Sequence, residues 1–434
     1  MNTSVIKIKT AKKLSGYIEV PGDKSISHRA CILGSIADGK TLISNFLIAE
    51  DTLRTLKMFQ MMGVKTKLEG NTLIIDGKGL NSLKKPYDIL DAGNSGTTTR
   101  LMLGVLAGQQ FTSSITGDKY LQKRPMLRVV EPIRKMGAKI EGENNGNFLP
   151  ITITGNKLNP ITYNLQIASA QVKSAILLAG LYTNGITTVT EPTQSRDHTE
   201  NMLKLFGANI NIEGLKYTVK GNPDLKAKSL TIPGDFSAAA FFIVAGIVVK
   251  NSEIAIKNVG VNPTRTGLLE VLKKMGADIR LENLRDENNE HVADIIIKES
   301  KLKGIEIKGD IIPKIIDEIP VLAVAGSLAY GKTIIRDAKE LRVKESDRIN
   351  SMVTELKKMN VNVEELPDGM IIQGPNLLQG TECDSHGDHR IAMGIAIAGL
   401  VANGETTIKD TDCINTSFPE FLKILKKYWD VRGR

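Results

Sequence analysis

Lys24, Ser25 and Arg29 in DKSISHR (23–29) set a cation, a hydroxyl and a second cation around the start of a helix. Arg29 falls four residues after Ser25, on the same helical face. LRVKESDR (341–348) places Lys344 and Arg348 one turn apart, with Glu345 on the adjacent face. Like charges at that spacing cost a few tenths of a kcal/mol, which makes sense beside a phosphate or carboxylate. GDHRIAM (387–393) opens a further helix with Asp388, His389 and Arg390. DEIP (317–320) opens another with two carboxylates, and Asp317 suits a general base if a substrate hydroxyl lies within hydrogen-bond reach. The chemistry such groups fit is proton transfer on small, multiply anionic substrates.

Weaker strings join these. DAGNSGTTTR (91–100) puts Gly93 and Gly96 where a backbone amide can approach an oxyanion closely. KRPM (123–126) has Arg124 before Pro125, which suits the first position of a helix. SAQVKS (169–174) offers Ser169 as a cap and Gln171 in the first turn, and RDHTE (196–200) brings Arg196 to the start of the next helix. Each string alone also has a plainer reading. Asp23 or Ser25 is a helix cap, the paired carboxylates complement a helix dipole, and the bases are solvated. Their joint occurrence at equivalent phases of a repeat carries more weight than any one of them.

The elements that must position these residues recur. Six times an apolar helix runs through a Gly or turn residue into a short β-branched strand, most clearly at 32–45, 176–192, 321–338 and 395–411. Copies at 101–116 and 241–259 complete the set. An amphipathic helix follows each strand and ends at Gly63, Gly137, Gly207 or Gly276, at intervals of roughly 70 residues, with Asn360 in a fifth copy. Every apolar helix starts with small, polar or charged residues, so converging starts would pool the positive ends of helix dipoles. VPGDKS at Val20 recurs as IPGDFS at Ile232. Those strings read as crossovers near 20–23 and 232–235. They divide the chain into one domain of 23–234 and a discontinuous second domain of 1–22 plus 235–434, each with three repeats. NLRDENNEH (283–291) reads as an exposed polar loop.

GSIADGKT (34–41) and GSLAYGKT (326–333) match the phosphate-binding loop pattern, but that loop needs a strand before it and a helix after it. Here the order is reversed, so Gly39 and Gly331 read as helix-terminating glycines and the ATPase reading falls. Bulk properties agree with a small-molecule enzyme. Of 434 residues, 57 are Lys or Arg and 48 Asp or Glu, for a formal charge of +9, while aromatics are only 4%. With no basic run interleaved with aromatic rings, a nucleic-acid platform is unsupported. The three dispersed cysteines suit a reducing compartment, and no His or Cys pair has metal-ligand spacing, so no metal is expected. The N-terminus has no apolar core of a signal peptide, and no apolar run reaches membrane-spanning length. We expect a cytoplasmic monomer that binds small anions, with neither nucleic acid nor membrane as partner.

PGDKSISHR, GNSGTTTRL, KRPM, SAQVKSA, DEIP, KESDR and DHRIAM occur in this order from end to end. In this the chain resembles the 5-enolpyruvylshikimate-3-phosphate synthase family, and SAQVKS followed by RDHTE resembles its second bacterial class. The resemblance implies an α/β (α+β) fold, the two-domain inside-out α/β barrel of enolpyruvyl transferases. It implies six βαβαββ units, three per domain, closing over substrate, and no cofactor. It also implies transfer of the enolpyruvyl group of phosphoenolpyruvate to the 5-hydroxyl of shikimate 3-phosphate. Carried over by motif, Lys24, Ser25, Arg29, Ser169, Gln171, Arg196, Asp317 and Lys344 would hold shikimate 3-phosphate. Lys24, Gly96, Arg124, Gln171, Arg348 and Arg390 would hold phosphoenolpyruvate. Glu345 would protonate the methylene carbon, Asp317 would take the hydroxyl proton, and Lys24 would assist electrostatically. One departure stands out: Ser417 occupies the position before Phe418-Pro419 where many members carry lysine. A sister reading is a transferase acting on UDP-N-acetylglucosamine. It is disfavoured because residues 109–125 lack the cysteine that enzyme presents on its mobile loop.

Overall fold

A computed structural model describes residues 4–429. The chain forms two compact units, one of Gly22–Ile232 with Glu287–Glu290, the other of Met1–Pro21, Pro233–Asp286 and His291–Arg434. In the first unit, three four-stranded sheets share one order. A short leading strand pairs in parallel with the strand that follows a central helix, and two antiparallel strands complete the sheet. The leading strands are Ser229–Thr231, Leu90–Asp91 and Thr162–Asn164, paired with Asp38–Ser44, Thr112–Thr116 and Ile186–Thr190. The second unit repeats the plan with Ser15–Glu19 beside Glu253–Gly260 and Glu306–Ile307 beside Gly331–Ile335. Its last sheet has three strands, in which Glu382–Asp384 and the N-terminal strand Val5–Ile8 flank Thr406–Lys409.

Two leading strands are exchanged along the sequence. Ser15–Glu19 precedes the first central helix, Lys24–Ile36, yet completes the sheet of the fourth repeat. Ser229–Thr231 precedes the fourth central helix, Phe236–Val248, yet completes the sheet of the first. Pro21-Gly22 and Ile232-Pro233 are where the chain changes unit after each strand. Asp23 and Asp235 then cap the helices that follow, accepting from the amides of Ile26 and of Ser237 and Ala238. Of the two caps possible in DKS, Asp23 is the one used.

The other central helices are Gly96–Ala107, Ala170–Gly180, Ile319–Leu328 and His389–Gly399. All six are largely apolar and buried nearly throughout, which is what a helix surrounded by sheets and other helices requires. Gly104 shows how closely they pack. A Cβ there would lie 2.3 Å from the carbonyl oxygen of Ala175, so the second and third central helices meet backbone to backbone. The outer helices Leu127–Lys135, Gly267–Lys274 and Arg348–Lys358 bury one face only. Gly63, Gly137, Gly207, Gly276 and Asn360 all have positive φ just past an outer helix, the left-handed stop that glycine adopts at least cost and asparagine next.

Four local expectations are corrected. Gly39 and Gly331 have positive φ but lie within the following strands, two residues past the cap positions Ala37 and Ala329. Residues 283–291 are no loop. Strands Asp278–Glu287 and Glu290–Lys298 run through them, joined at Asn288-Asn289, both in the left-handed region that a two-residue hairpin turn needs. Pro125 sits just before the cap Met126 rather than at the first helical position. Lys344 and Arg348 are not one helical turn apart, because the helix begins at Arg348 with Asp347 as its cap.

Two ion clusters, one fully buried and one built on the buried Glu355, tie the segments that carry site residues. Lys173 on the third central helix is fully buried, with its Nζ 2.7 Å from Glu191 and 2.7 Å from Glu200 and stacked over the Tyr217 ring. Burial opposes its charge, but Glu200 and Glu191 outweigh that and raise its pKa. Glu191 also accepts from Ser195, so the stretch leading to Arg196 is pinned to this helix. In the other unit, Glu355 accepts from Lys358 at 2.9 Å and from the Asp384 amide, and faces His386 Nε2 at 2.8 Å. That pair holds the turn before the sixth central helix, and the hydrogen bond to Glu355 raises the His386 pKa.

Replacing Lys173 by Met leaves two buried carboxylates without their cation, and we expect a loss of about 3–5 kcal/mol, read from the urea midpoint. An unchanged midpoint would contradict the assignment. The His386–Glu355 pair predicts a pH dependence of defined sign. A histidine whose folded pKa is raised contributes stability fully present below its unfolded value of about 6.5, and loses it as pH rises through the folded value. The stability gap between the chain and His386→Asn should therefore be widest near pH 6 and close by about pH 9. Denaturant titrations across that range measure it, and a gap that widens with pH refutes the pairing.

Candidate active site

In the first unit the three central helices start close together. Lys24, in the first turn of the first, reaches Asp51 at 3.0 Å, and the Asp51 carbonyl accepts from Thr98 on the second. Ser95 caps that second helix and also accepts from the Thr98 hydroxyl. A chain of hydroxyls continues through Thr55 to the buried His28, whose pKa burial and the neighbouring Lys24 and Arg29 hold well below the usual value. Arg124 is buried and donates to Asn94, directly before that cap. Gly96 is held small for a visible reason. A Cβ there would sit 3.2 Å from guanidinium nitrogens of both Arg100 and Arg124.

The third central helix, capped by Ser169, adds Gln171, whose amide accepts from Arg100 and donates to Thr97 at 2.9 Å. Gly96, Arg100, Arg124 and Gln171 thus form one group. Arg29 belongs to a second group. It is buried, donates to Thr199 at 2.6 Å, to Ser174 at 2.9 Å and to the Ser25 carbonyl at 2.9 Å, and burial lowers its pKa to about 10. Arg196 is near enough to act on Arg29 electrostatically. Ser25 and Ser169 are only partly buried beside these groups.

In the second unit the centre is Asp317, just before the fifth central helix. Its Oδ1 lies 3.2 Å from Arg348, 3.8 Å from Lys344 and 3.9 Å from Arg390, and its Oδ2 lies 3.9 Å from Arg265. Arg348 is 1% exposed and carries three carboxylates, with Asp388 at 2.7 Å, Glu345 at 2.6 Å and Asp317. Burial works against that guanidinium, but Asp388, Glu345 and Asp317 outweigh it and raise its pKa. Arg390 donates to the Asp317 carbonyl at 2.9 Å, and Asp388 caps the sixth central helix that carries it. Lys344 and Arg348 therefore meet through Asp317, although they share no helical face. His389 is buried, with the Thr416 hydroxyl at 3.4 Å, directly before Ser417.

Four residues have contacts that the sequence does not assign to them, and two of these, Asp388 and Glu318, read there only as residues at a helix start. Arg100 ends the string GNSGTTTR, and its place one turn after Gly96 was the available signal. Arg265 lies in VNPTRTG, where an Asn-Pro-Thr turn before an outer helix gives no hint that the arginine turns inward. Asp388 holds Arg348 as well as capping its helix. Glu318 caps nothing by its side chain and is instead buried against Ser237, Arg265 and Arg390. Among the described residues no cluster of three or more His, Cys, Asp or Glu side chains is arranged to hold a metal ion. Each unit gathers guanidinium and ammonium groups, and the second adds Asp317 and Glu345, two carboxylates able to move protons. Held anions with proton transfer beside them is the chemistry this equipment supports.

Known proteins are similar to this chain over nearly its whole length. Residues 8–425 match the model of the family described as EPSP synthase (3-phosphoshikimate 1-carboxyvinyltransferase). The 3-phosphoshikimate 1-carboxyvinyltransferase of Desulforamulus reducens is 54% identical over 97% of this chain and 98% of its own length. That of Geobacillus kaustophilus is 50% identical over 95% and 97%. Among solved structures, an EPSP synthase of Acinetobacter baumannii superposes with a TM-score of 0.88 at 44% identity, covering 99% of this chain and 98% of that one. The enolpyruvyl transferase NikO of Streptomyces tendae, at 18% identity and a TM-score of 0.78 over 98% and 97% of the two chains, shares the fold. With 54% identity over nearly its whole length, the chain belongs to the EPSP synthase (3-phosphoshikimate 1-carboxyvinyltransferase) family.

Proposed function

We propose that the chain transfers the enolpyruvyl group of phosphoenolpyruvate to the 5-hydroxyl of shikimate 3-phosphate and releases phosphate. The observation that carries this reading is Asp317, a carboxylate ringed by Lys344, Arg348 and Arg390, with Glu345 on the same Arg348 guanidinium. Family membership supplies the substrates.

The residues divide the work by charge. Lys24, Ser25, Arg29, Ser169, Gln171 and Arg196, with Asp317 and Lys344, hold shikimate 3-phosphate. Lys24, Gly96, Arg124, Gln171, Arg348 and Arg390 hold the carboxylate and phosphate of phosphoenolpyruvate. Glu345 gives its proton to the methylene carbon, turning it into a methyl group and leaving an oxocarbenium-like centre at the carbon bearing the phosphate oxygen. The 5-hydroxyl oxygen bonds to that centre while its proton passes to Asp317. In the second half the methyl group returns a proton to the Glu345 carboxylate, the double bond re-forms, and the carbon–phosphate oxygen bond breaks to release phosphate. Cations placed before reaction favour both the charge that develops and the phosphate that leaves, since they need no reorganisation. Lys24 contributes to that field without moving a proton.

The three cysteines, none of them in a disulfide, support a reducing, cytoplasmic setting. No helix among the described residues is long and apolar enough to cross a membrane.

The test is phosphate release from phosphoenolpyruvate, without added metal, offered shikimate 3-phosphate in one arm and UDP-N-acetylglucosamine in another. Release that requires shikimate 3-phosphate, and falls by at least about 100-fold in Asp317→Ala and Glu345→Ala, is the expected result. Release only with the UDP-sugar would move the chain to the sister activity. Full activity in either variant would remove that carboxylate from its role.

A further inference from the structure

We propose that Arg265 is a positioning residue for Asp317, fixing Oδ2 as the oxygen that receives the hydroxyl proton and keeping it ionised. The inference rests on reading Asp317 as the base of the transfer reaction, and none of the motif strings includes Arg265.

The arginine is placed rigidly. Asn262 Oδ1 accepts from the Thr264 amide at 2.9 Å and from its hydroxyl at 2.8 Å, and the Asn262 carbonyl accepts from the Arg265 amide at 2.8 Å. This turn sends the side chain inward, where it is 2% exposed. Its Nη2 donates to the Ser237 hydroxyl at 2.5 Å, and Ser237 in turn donates to the buried Glu318. Asp235 and Glu318 lie 3.8 Å and 3.7 Å from the same nitrogen. These acids and Ser237 meet the guanidinium at Nη2, and Nη1 lies 3.9 Å from Asp317 Oδ2.

The two oxygens of Asp317 consequently differ. Oδ1 faces Arg348 from the outer helix, Lys344 from the turn before it and Arg390 from the sixth central helix. Two of those, Arg348 and Arg390, are read as holding phosphoenolpyruvate. Oδ2 is turned to Arg265. When the 5-hydroxyl O–H bond breaks as its oxygen bonds to the electrophilic carbon, Oδ2 is the better placed to take the proton. The remaining charged groups nearby, Glu345, Asp388, Glu318 and Asp235, each face one of these guanidiniums. A cation a few ångströms from a carboxylate lowers its pKa by about one to three units when little else is near. Arg265 should supply part of that, and on the oxygen that matters.

The experiment is the pH profile of kcat, with KM for both substrates, for the chain, Arg265→Met, Arg265→Lys and Asp317→Asn, each checked for folding by circular dichroism. Arg265→Met should move the acidic limb of kcat upward by about one unit and lower kcat about tenfold, with both KM values within about threefold. Arg265→Lys should restore most of the limb. A folded Arg265→Met with an unmoved limb, or one that raises KM while keeping kcat, overturns the inference. Should Arg265→Met not fold, Ser237→Ala decides, because it loosens the guanidinium without removing it. Lower kcat at unchanged KM supports the proposal, and unchanged kcat overturns it. Activity in Asp317→Asn would instead remove the base on which the proposal rests, and so separates the two failures.

Discussion

A guanidinium cannot be taken out of water unless carboxylates or hydrogen-bond acceptors meet it, and this protein buries five among its candidate site residues, two in the first unit and three in the second. Arg29, Arg124, Arg265, Arg348 and Arg390 are all less than 9% exposed. Each has fixed partners: Thr199 and Ser174, Asn94, Ser237, the Asp388–Glu345–Asp317 trio, and the Asp317 carbonyl. Removing one partner from such a group costs several kcal/mol, so the cations and the acids that hold them stand or fall together. That requirement explains why carboxylates able to move protons sit among so many positive charges. The acids that make the cations affordable to bury include Asp317 and Glu345, the two proposed to move protons.

The fold meets this constraint with one device used in both units. A strand ends, Pro-Gly or a polar turn redirects the chain, and a largely apolar helix starts with its polar residues at one end. Helix starts supply amides and a positive dipole end, while most of the rest of each helix is apolar and needs no polar partner. Close backbone contact, as at Gly104 against Ala175, brings neighbouring starts within reach of one another. The sheets then need only support the helices, and short strands with a repeated order suffice. Lys173 and Glu355 do for the flanking segments what Asp388 does for Arg348, linking a stretch between elements to a helix through a buried charge.

Much of this was legible in the sequence, and the reasons are particular. Helix periodicity, the Gly or Asn stops and the recurrence of PGDxS report local geometry, which neighbouring residues determine. Strand exchange was not legible. Nothing in Ser15–Glu19 says that it pairs with Glu253–Gly260 rather than with the repeat it precedes, because parallel pairing is fixed by tertiary position. The hairpin at Asn288-Asn289 was legible and went unread, since an unbroken run of exposed polar residues hid two left-handed asparagines. Charge strings located Asp317, Lys344, Arg348 and Arg390, yet the supposed helical spacing of Lys344 and Arg348 was wrong. They come together because both face one carboxylate. Arg265 and Glu318 escaped because an arginine after Asn-Pro-Thr and a second acid at a helix start both have ordinary surface roles. Only the three-dimensional arrangement separates those roles from a buried one.

The central claim is that protons supplied and removed by this site drive addition and then elimination. Running the reaction in deuterium oxide and examining the enolpyruvyl methylene of the product tests it most directly. Deuterium at that carbon is predicted, because Glu345 exchanges with solvent and delivers a deuteron before one of the three hydrogens on the methyl group is lost. A product made in full yield with no deuterium at the methylene would mean that the carbon is never protonated from solvent. The account of Glu345 and Asp317 as an acid–base pair would then be wrong.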